Sequence, residues 1–489
     1  MDAKTATRLG QLARAVAGPQ VGQVRDPGAL VPGRVALPLG VSRSVPLWVS
    51  LERCVYVLGA ARSGKGTLVV VPFILAAPGA VVTTSTRTDN LRLTAACRAR
   101  MGPVEVFNLD GVGDLPHTVN WAPLEGCADP AVAQRRARTL VAATGMSGEN
   151  APWATTSASI VQALLHAAAL EGRTIADVYT WSRSPAKADE AMRILETRGL
   201  GDAWHLTIAQ VREEDPRMRA NKWFGVDNAF AGLAVKSVRD RLVPTPAAAF
   251  DTSAFLARSG TCYMLARGAD ANSGAGAGTV GASTAGTVGG FYSLFLDHVT
   301  ETARQLSQTS LGGRLDPPLT IVADELAHID PWPAAVRMSA AGGGEGIQLV
   351  MVFQSRNQAA AAYGQHAEAT MWDNATNVIL GGGKSEDYLG ALSRSLGEHE
   401  QTRTRTSFSS RDLFGRDTSV DAEWRPAVSV DELRRLPVGT ALVIQDRTRP
   451  ILTDLTPYWH GPHAPCTTAS ADWHAAHPGH VLTSRQVPA

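Results

Sequence analysis

The run Gly59-Ala60-Ala61-Arg62-Ser63-Gly64-Lys65-Gly66-Thr67 has the residue types of a loop that holds a phosphate chain. Successive backbone N–H groups of such a loop, with the positive end of a following helix, make a concave anion site. A lysine adds a point charge for the β and γ phosphates. Gly59 and Gly64 let the chain curl tightly and approach the phosphates without side chains in the way. Lys65 is the first residue expected to bind phosphate and assist chemistry, with Gly59, Arg62, Ser63, Gly64, Gly66 and Thr67 completing the cradle. Only six of the 46 basic residues are lysine, which makes this one more informative. One position departs from the full pattern: Gly66 stands where a Ser or Thr normally offers a hydroxyl to magnesium. Thr67 carries a hydroxyl one residue later, turned by ~100° on a helix, and is the poorer geometric substitute for that contact.

About 260 residues further on, Leu319-Thr320-Ile321-Val322-Ala323 leads into Asp324-Glu325. A buried strand tolerates acids at its carboxyl end because that end opens into the nucleotide crevice of a parallel sheet. Asp324 is expected to hold Mg2+, directly or through water, and Glu325 to orient and polarise the attacking water. A further apolar strand, residues 348–353, ends in Gln354, placed to sense the γ phosphate. Phosphate loop, acidic strand end and glutamine strand end, in that order, are the parts of a RecA-like motor. The acids are expected at the tip of the strand adjoining the phosphate loop.

These residues need a sheet to hold them, and the sequence supplies one. Apolar runs at 55–58, 80–84, 104–108, 260–266, 319–323, 347–353 and 377–380 are separated by helix-forming stretches, the grammar of a parallel α/β sheet. Between about 127 and 244 the strand signal nearly vanishes and Ala, Leu and Arg segments at 130–143, 154–169, 184–200 and 229–242 predict an all-α insertion. The division expected is 1–50, an irregular arm with edge strands; 51–126 and 248–460, the two parts of the nucleotide-binding domain; 127–247, the insertion; and 461–489, a tail. Residues 268–290 form a Gly, Ala, Ser and Thr stretch that reads as a loop; its Gly276-x-Gly278-x-x-Gly281 is a cheap match in such a composition and lacks the acidic partner of a dinucleotide site.

Composition bounds the rest. A chain of 489 residues with 44% hydrophobic and 19% charged residues can bury a core and is not a disordered tail. The net charge of +1 excludes a globally basic nucleic-acid binder, so any such contact must use a local patch. Five scattered cysteines without Cys-x-x-Cys indicate neither a disulfide framework nor a zinc site, which fits a reducing cytosol. No stretch approaches the ~20 apolar residues of a spanning helix.

Taken together, these motifs resemble the TraG/TraD family of type IV coupling proteins, from about residue 45 to 459. Residues 81–87 with Leu91 resemble the family's second strand and turn, although the Asp-Lys-Gly often found there is absent. Residues 120–124 (Asn-Trp-Ala-Pro-Leu) resemble its entry to the all-α domain. Residues 324–327, Gln354, Gln358, Tyr363-Gly364, 377–383 and Leu396-Gly397 follow its C-terminal half in order, and 436–443 with 455–459 its closing strands.

The resemblance implies ATP and Mg2+ as cofactors and a homo-hexameric ring. It implies transport of single-stranded or relaxase-bound DNA into a secretion channel, with a relaxase or other cargo protein met by the all-α domain. It also implies inner-membrane secretion components as partners and a place at the cytoplasmic face of the membrane. The family usually carries an arginine shortly before the Gln354 strand; here Gly343 takes its place, leaving Arg337 or Arg356 as substitutes. Weaker readings are a docking platform that binds nucleotide with little turnover, and another RecA-like DNA translocase, against which the large insertion argues. For DNA, Arg267, Arg403, Arg405, Arg411 and Arg416 are the candidate pore contacts. Arg135, Arg136 and Arg138 fall on more than one helix face, and Trp153, Trp181, Trp204 and Trp223 read as core.

Overall fold

The computed structural model describes residues 32–146, 151–199, 203–244, 249–268, 288–329, 331–381, 385–408, 416–446 and 448–482. Within these residues the strands are β1 (Ala36–Ser42), β2 (Val45–Ser50), β3 (Cys54–Leu58), β4 (Val81–Ser85), β5 (Val104–Phe107), β6 (Thr261–Leu265), β7 (Leu319–Asp324), β8 (Ile347–Phe353), β9 (Ala375–Leu380), β10 (Glu398–Phe408), β11 (Arg416–Pro426), β12 (Thr440–Ile444) and β13 (Ile451–Asp454). Eleven of them form one sheet in the order β2-β1-β13-β12-β9-β3-β8-β7-β4-β6-β5. The run from β9 to β5 is parallel, while β12, β13, β1 and β2 extend it antiparallel.

The central strands carry no polar alternation because both their faces are covered. Along β3, Cys54, Tyr56 and Leu58 enter one layer and Val55 and Val57 the other. The second layer holds the helix that follows the phosphate loop (Val71–Ala76), and the first holds the long helix Gly289–Thr309, the helix Ala334–Glu345 and the insertion. The order also corrects one expectation: β7 does not adjoin β3. Strand β8 lies between them, so the acid-bearing tip and the phosphate loop stand about 10 Å apart at ~4.8 Å per strand.

The insertion is built around the helix Ala151–Leu170, against which Pro130–Ala142, Ile175–Ser182, Asp189–Arg198, Trp204–Glu213 and Pro216–Ala229 pack. Its starts are capped as the sequence allows: Asp129 and Asp215 accept from the free N–H groups of the first turns. Trp181 and Trp223 are buried, and Trp223 Nε1 donates to the Ser182 carbonyl, so these tryptophans are core.

Three elements differ from expectation. The segment after 460 is not a tail: its helix Ala464–Ala476 packs on the helix Asp89–Ala99, and Ser470 Oγ accepts from Ala96 N at 3.1 Å. A disulfide between Cys97 and Cys466 joins those two helices across 369 residues of sequence, where the spacing alone indicated none. Third, the Ser/Thr-rich stretch after Gly397 is a β-ribbon, with β10 and β11 paired along their whole length from Glu398↔Pro426 to Phe408↔Arg416. Arg403, Arg405 and Arg416 therefore lie on strands, while Arg411 and the Gly276–Gly281 match lie outside the described residues.

Candidate nucleotide site

The phosphate loop leaves β3 at its carboxyl end, where Gly59 N donates to the Phe353 carbonyl of β8. Glycine is required at two points by shape. A Cβ on Gly59 would collide with Ser63 Oγ, and Gly64 has φ of +88°, with Leu68 Cδ1 only 2.6 Å from where its Cβ would sit. Arg62, also at positive φ, is exposed at the crest of the loop. The loop is closed around its own lysine: Lys65 Nζ donates to the carbonyls of Gly59 at 2.6 Å and Ala60 at 2.9 Å. Ser63 Oγ is buried without a partner among the described residues. An ammonium group held over a curled backbone, with a buried hydroxyl to satisfy, suits a polyphosphate with its metal.

The chain enters the next helix through a π-turn, Gly66–Val70, and Thr67 Oγ1 donates back to the Gly64 carbonyl at 3.1 Å. Thr67 is thus turned onto its own loop, and its expected role as a metal ligand has less support than that of Asp324. At Gly66 no atom lies within 4 Å of an added Cβ, so the missing hydroxyl is not excluded by crowding.

Across the crevice, Asp324 closes β7 and Glu325 follows with φ of +56°. Burial, and then the adjacent Glu325 charge, push the Asp324 carboxyl up to about 6, against the pull of Asn90 and Lys65. Burial lowers Lys65, and the charges of Asp324 and Glu325 oppose that shift. The lysine and the two acids therefore share one electrostatic site despite the strand between them. Strand β4 braces the acids, a role that periodicity did not predict. Thr84 Oγ1 donates to the Asp324 carbonyl at 2.8 Å, Asn90 Nδ2 lies 3.5 Å from Asp324 Oδ2, and Thr86 Oγ1 donates to Glu325 Oε2. The register of β4 on β7 places Thr84 and Thr86 there, and Asn90 reaches Asp324 from the helix Asp89–Ala99.

Gln354 emerges from β8 beside the loop. It lines a cavity of about 460 Å³ with Gly59, Ala60, Arg356, Asn357 and Tyr388. Its backbone N–H donates to Gln358 Oε1 at 2.9 Å. The two substitute arginines separate. Arg356 is committed, with Nε and a terminal N donating to the two Glu368 oxygens at 2.7 and 2.8 Å and its guanidinium 4.4 Å from the centre of the Trp372 ring. Arg337 is exposed in the first turn of Ala334–Glu345. No side chain fits at Gly343, because its Cβ would run into the Glu52 carbonyl oxygen.

Residues 34–197 match the family described as type IV secretory system conjugative DNA transfer, and residues 318–438 the TraM recognition site of TraD and TraG. The chain belongs to the TraG/TraD coupling-protein family. The two matched regions of this coupling protein carry the phosphate loop and the acidic strand respectively.

Among solved structures, the fold is similar to that of the bacterial conjugative coupling protein TrwBdeltaN70 in its unbound monoclinic form, at a TM-score of 0.63, 17% identity and 92% coverage of each chain. It is similar as well to the plasmid coupling protein TrwB in complex with ADP and Mg2+ (0.62, 17%, 94% of each chain). The same holds for TrwB in complex with the GTP analogue GDPNP (0.61, 17%, 92% of each chain). At that identity the likeness is one of fold: a RecA-like P-loop domain with a helical insertion. No curated protein sequence matches the chain. No helix among the described residues is long and apolar enough to cross a membrane.

Proposed function

We propose that this coupling protein hydrolyses ATP to drive DNA, single-stranded or relaxase-bound, into a type IV secretion channel as a homo-hexameric ring. The observation that carries the reading is the electrostatic coupling of Lys65, Asp324 and Glu325 at the carboxyl ends of β3 and β7, with Gln354 following β8, the strand between them. ATP and Mg2+ are the expected cofactors, in keeping with the ADP and Mg2+ named for the similar TrwB structure.

The backbone N–H groups of 59–67, Ser63 and Arg62 hold the phosphates, Lys65 leaves its own carbonyls for the β and γ oxygens, and Asp324 holds the metal. Bound Mg2+ supplies charge neutralisation on the phosphate oxygens. Glu325 orients a water and takes its proton as the water oxygen bonds to the γ phosphorus and the bond to ADP breaks. Gln354 reads the γ phosphate's departure. The all-α insertion at 127–247 takes a relaxase or other cargo protein, and the protein works at the cytoplasmic face of the membrane with inner-membrane secretion components. Arg267, whose backbone N–H donates to Asp110, and the β10–β11 ribbon supply pore contacts for the DNA backbone.

A docking platform with little turnover is the second reading, favoured by Gly66, by the closed packing at Gly343 and by the engagement of Arg356. Phosphate release with and without single-stranded DNA separates the two. Lys65→Ala and Glu325→Gln are each expected to lower the wild-type rate by about 100-fold or more. Retained nucleotide binding with no release under any condition would establish the platform instead.

A further inference from the structure

Residues 81–87 hold the place of a familiar strand and turn but lack its usual residues, and the crevice chemistry leaves Thr86 unused. The register explains where it lies. Pairing of Val81 with Thr320 through Thr84 with Ala323, continued two residues, brings Thr86 level with Glu325, and its hydroxyl donates to Glu325 Oε2. The sheet order β3-β8-β7-β4 puts Thr86 on the far side of β7 from the phosphate loop. At ~4.8 Å per strand, β4 lies roughly 15 Å from β3, three strand spacings away. A carboxylate bonded to Thr86 is drawn away from the position a water attacking the γ phosphorus would take.

We infer that Thr86 is a latch: its hydroxyl holds Glu325 toward β4 in the resting chain, and hydrolysis requires that bond to open so that the carboxylate turns toward the cradle.

Three features agree with a movable contact. The neighbouring Asp324 is held separately, its carbonyl by Thr84 of β4 and its carboxylate beside Asn90 of the helix Asp89–Ala99, so releasing Glu325 disturbs a side chain only. The positive φ of Glu325 turns the chain at that residue, and neither Thr86 nor Glu325 is fully buried. Finally, Thr86 is followed by Arg87, a guanidinium 77% exposed and 3.8 Å from Asp89, so the turn that carries the latch is open at the surface. The latch is a positioning device and rests on the reading of Glu325 as the base.

The test is steady-state phosphate release by the full chain, with ATP binding measured separately by equilibrium titration, for wild type, Thr86→Val, Thr86→Ala and Thr86→Ser. A hydrogen bond to a charged group sets the scale, so basal kcat of the Val and Ala variants is expected to rise about fivefold or more. KM for ATP stays near wild type, the ratio of DNA-stimulated to basal rate falls, and the Ser variant, keeping the hydroxyl, returns toward wild type. If wild type is silent, turnover gained by the Val or Ala variant supports the latch and continued silence overturns it. A basal rate that is unchanged or lower in folded, ATP-binding Val and Ala variants overturns it too. The underlying reading fails separately, when Glu325→Gln releases phosphate as fast as wild type.

Discussion

Gly66 stands where a hydroxyl for Mg2+ is expected, and its surroundings make that position testable. With no atom within 4 Å of an added Cβ and a helical backbone, Gly66→Thr restores the hydroxyl without collision. It is expected to tighten the Mg2+ requirement, seen as a lower half-saturating Mg2+ concentration for phosphate release, by several-fold. Removing Gly from a helical turn adds about 0.5 kcal/mol of stability as well. An unchanged Mg2+ titration in a folded variant would mean the metal is held from Asp324 and water alone. Gly343 is the opposite case, since the Glu52 carbonyl occupies the space an arginine would need. The loop was legible residue by residue because its chemistry is local. Thr86, Thr84 and Asn90 were not, because the threonines act across a strand pairing and Asn90 from the helix after it, contacts that no run of sequence encodes.

At the scale of elements, the strands that could be read were those buried on both faces; β8 spans the same residues, 347–353, that its apolar run predicts. The ribbon β10–β11 escaped because Thr, Arg, Glu and Asp alternate there without an apolar face. The helix Ala464–Ala476 escaped because its Ala, Thr, Ser and His carry no apolar stripe; its partner helix and the Cys97–Cys466 disulfide hold it instead. Where the insertion meets the sheet, the helix Gly289–Thr309 brings His298 against Arg136 of Pro130–Ala142 and Thr252, with Arg136 donating to Nδ1 and Thr252 Oγ1 2.8 Å from Nε2. A guanidinium only donates, so Nδ1 must accept and the ring is neutral. Burial, and then the Arg136 charge, push the imidazole down to about 3.

The sign follows. An unfolded histidine titrates near 6.5, so below that pH the unfolded chain binds a proton the folded chain refuses, and stability falls as pH drops. The loss is about 2 kcal/mol by pH 5. Thermal melts at pH 7 and 5 should show the wild type losing more than His298→Gln, and equal losses would remove this contact from the acid response.

For the whole molecule, the proposed ring implies that a neighbouring subunit contributes to each nucleotide site. With Gly343 closed to side chains and Arg356 bound to Glu368, Arg337 is the exposed arginine that remains of the candidates. It lies in the first turn of Ala334–Glu345, beyond the short helix Leu326–Ile329 that follows β7, and lines a cavity with Arg135, Arg138, Asp297 and Glu301. If it reaches a neighbour's γ phosphate, Arg337→Ala should cost about 1,000-fold in turnover while leaving ATP binding intact. Lys65→Ala should fail by losing the cradle. Mixed in equal amounts, the two inactive chains then complement, because an intact Lys65 can face an intact Arg337 only across a subunit boundary. Random assembly makes that pairing at about a quarter of the interfaces, so the mixture is expected to recover about a quarter of the wild-type rate. Recovery by neither the mixture nor a tandem fusion of the two variants would place the charge that completes the site on another residue. Full activity of Arg337→Ala alone would show that each subunit's crevice works without one.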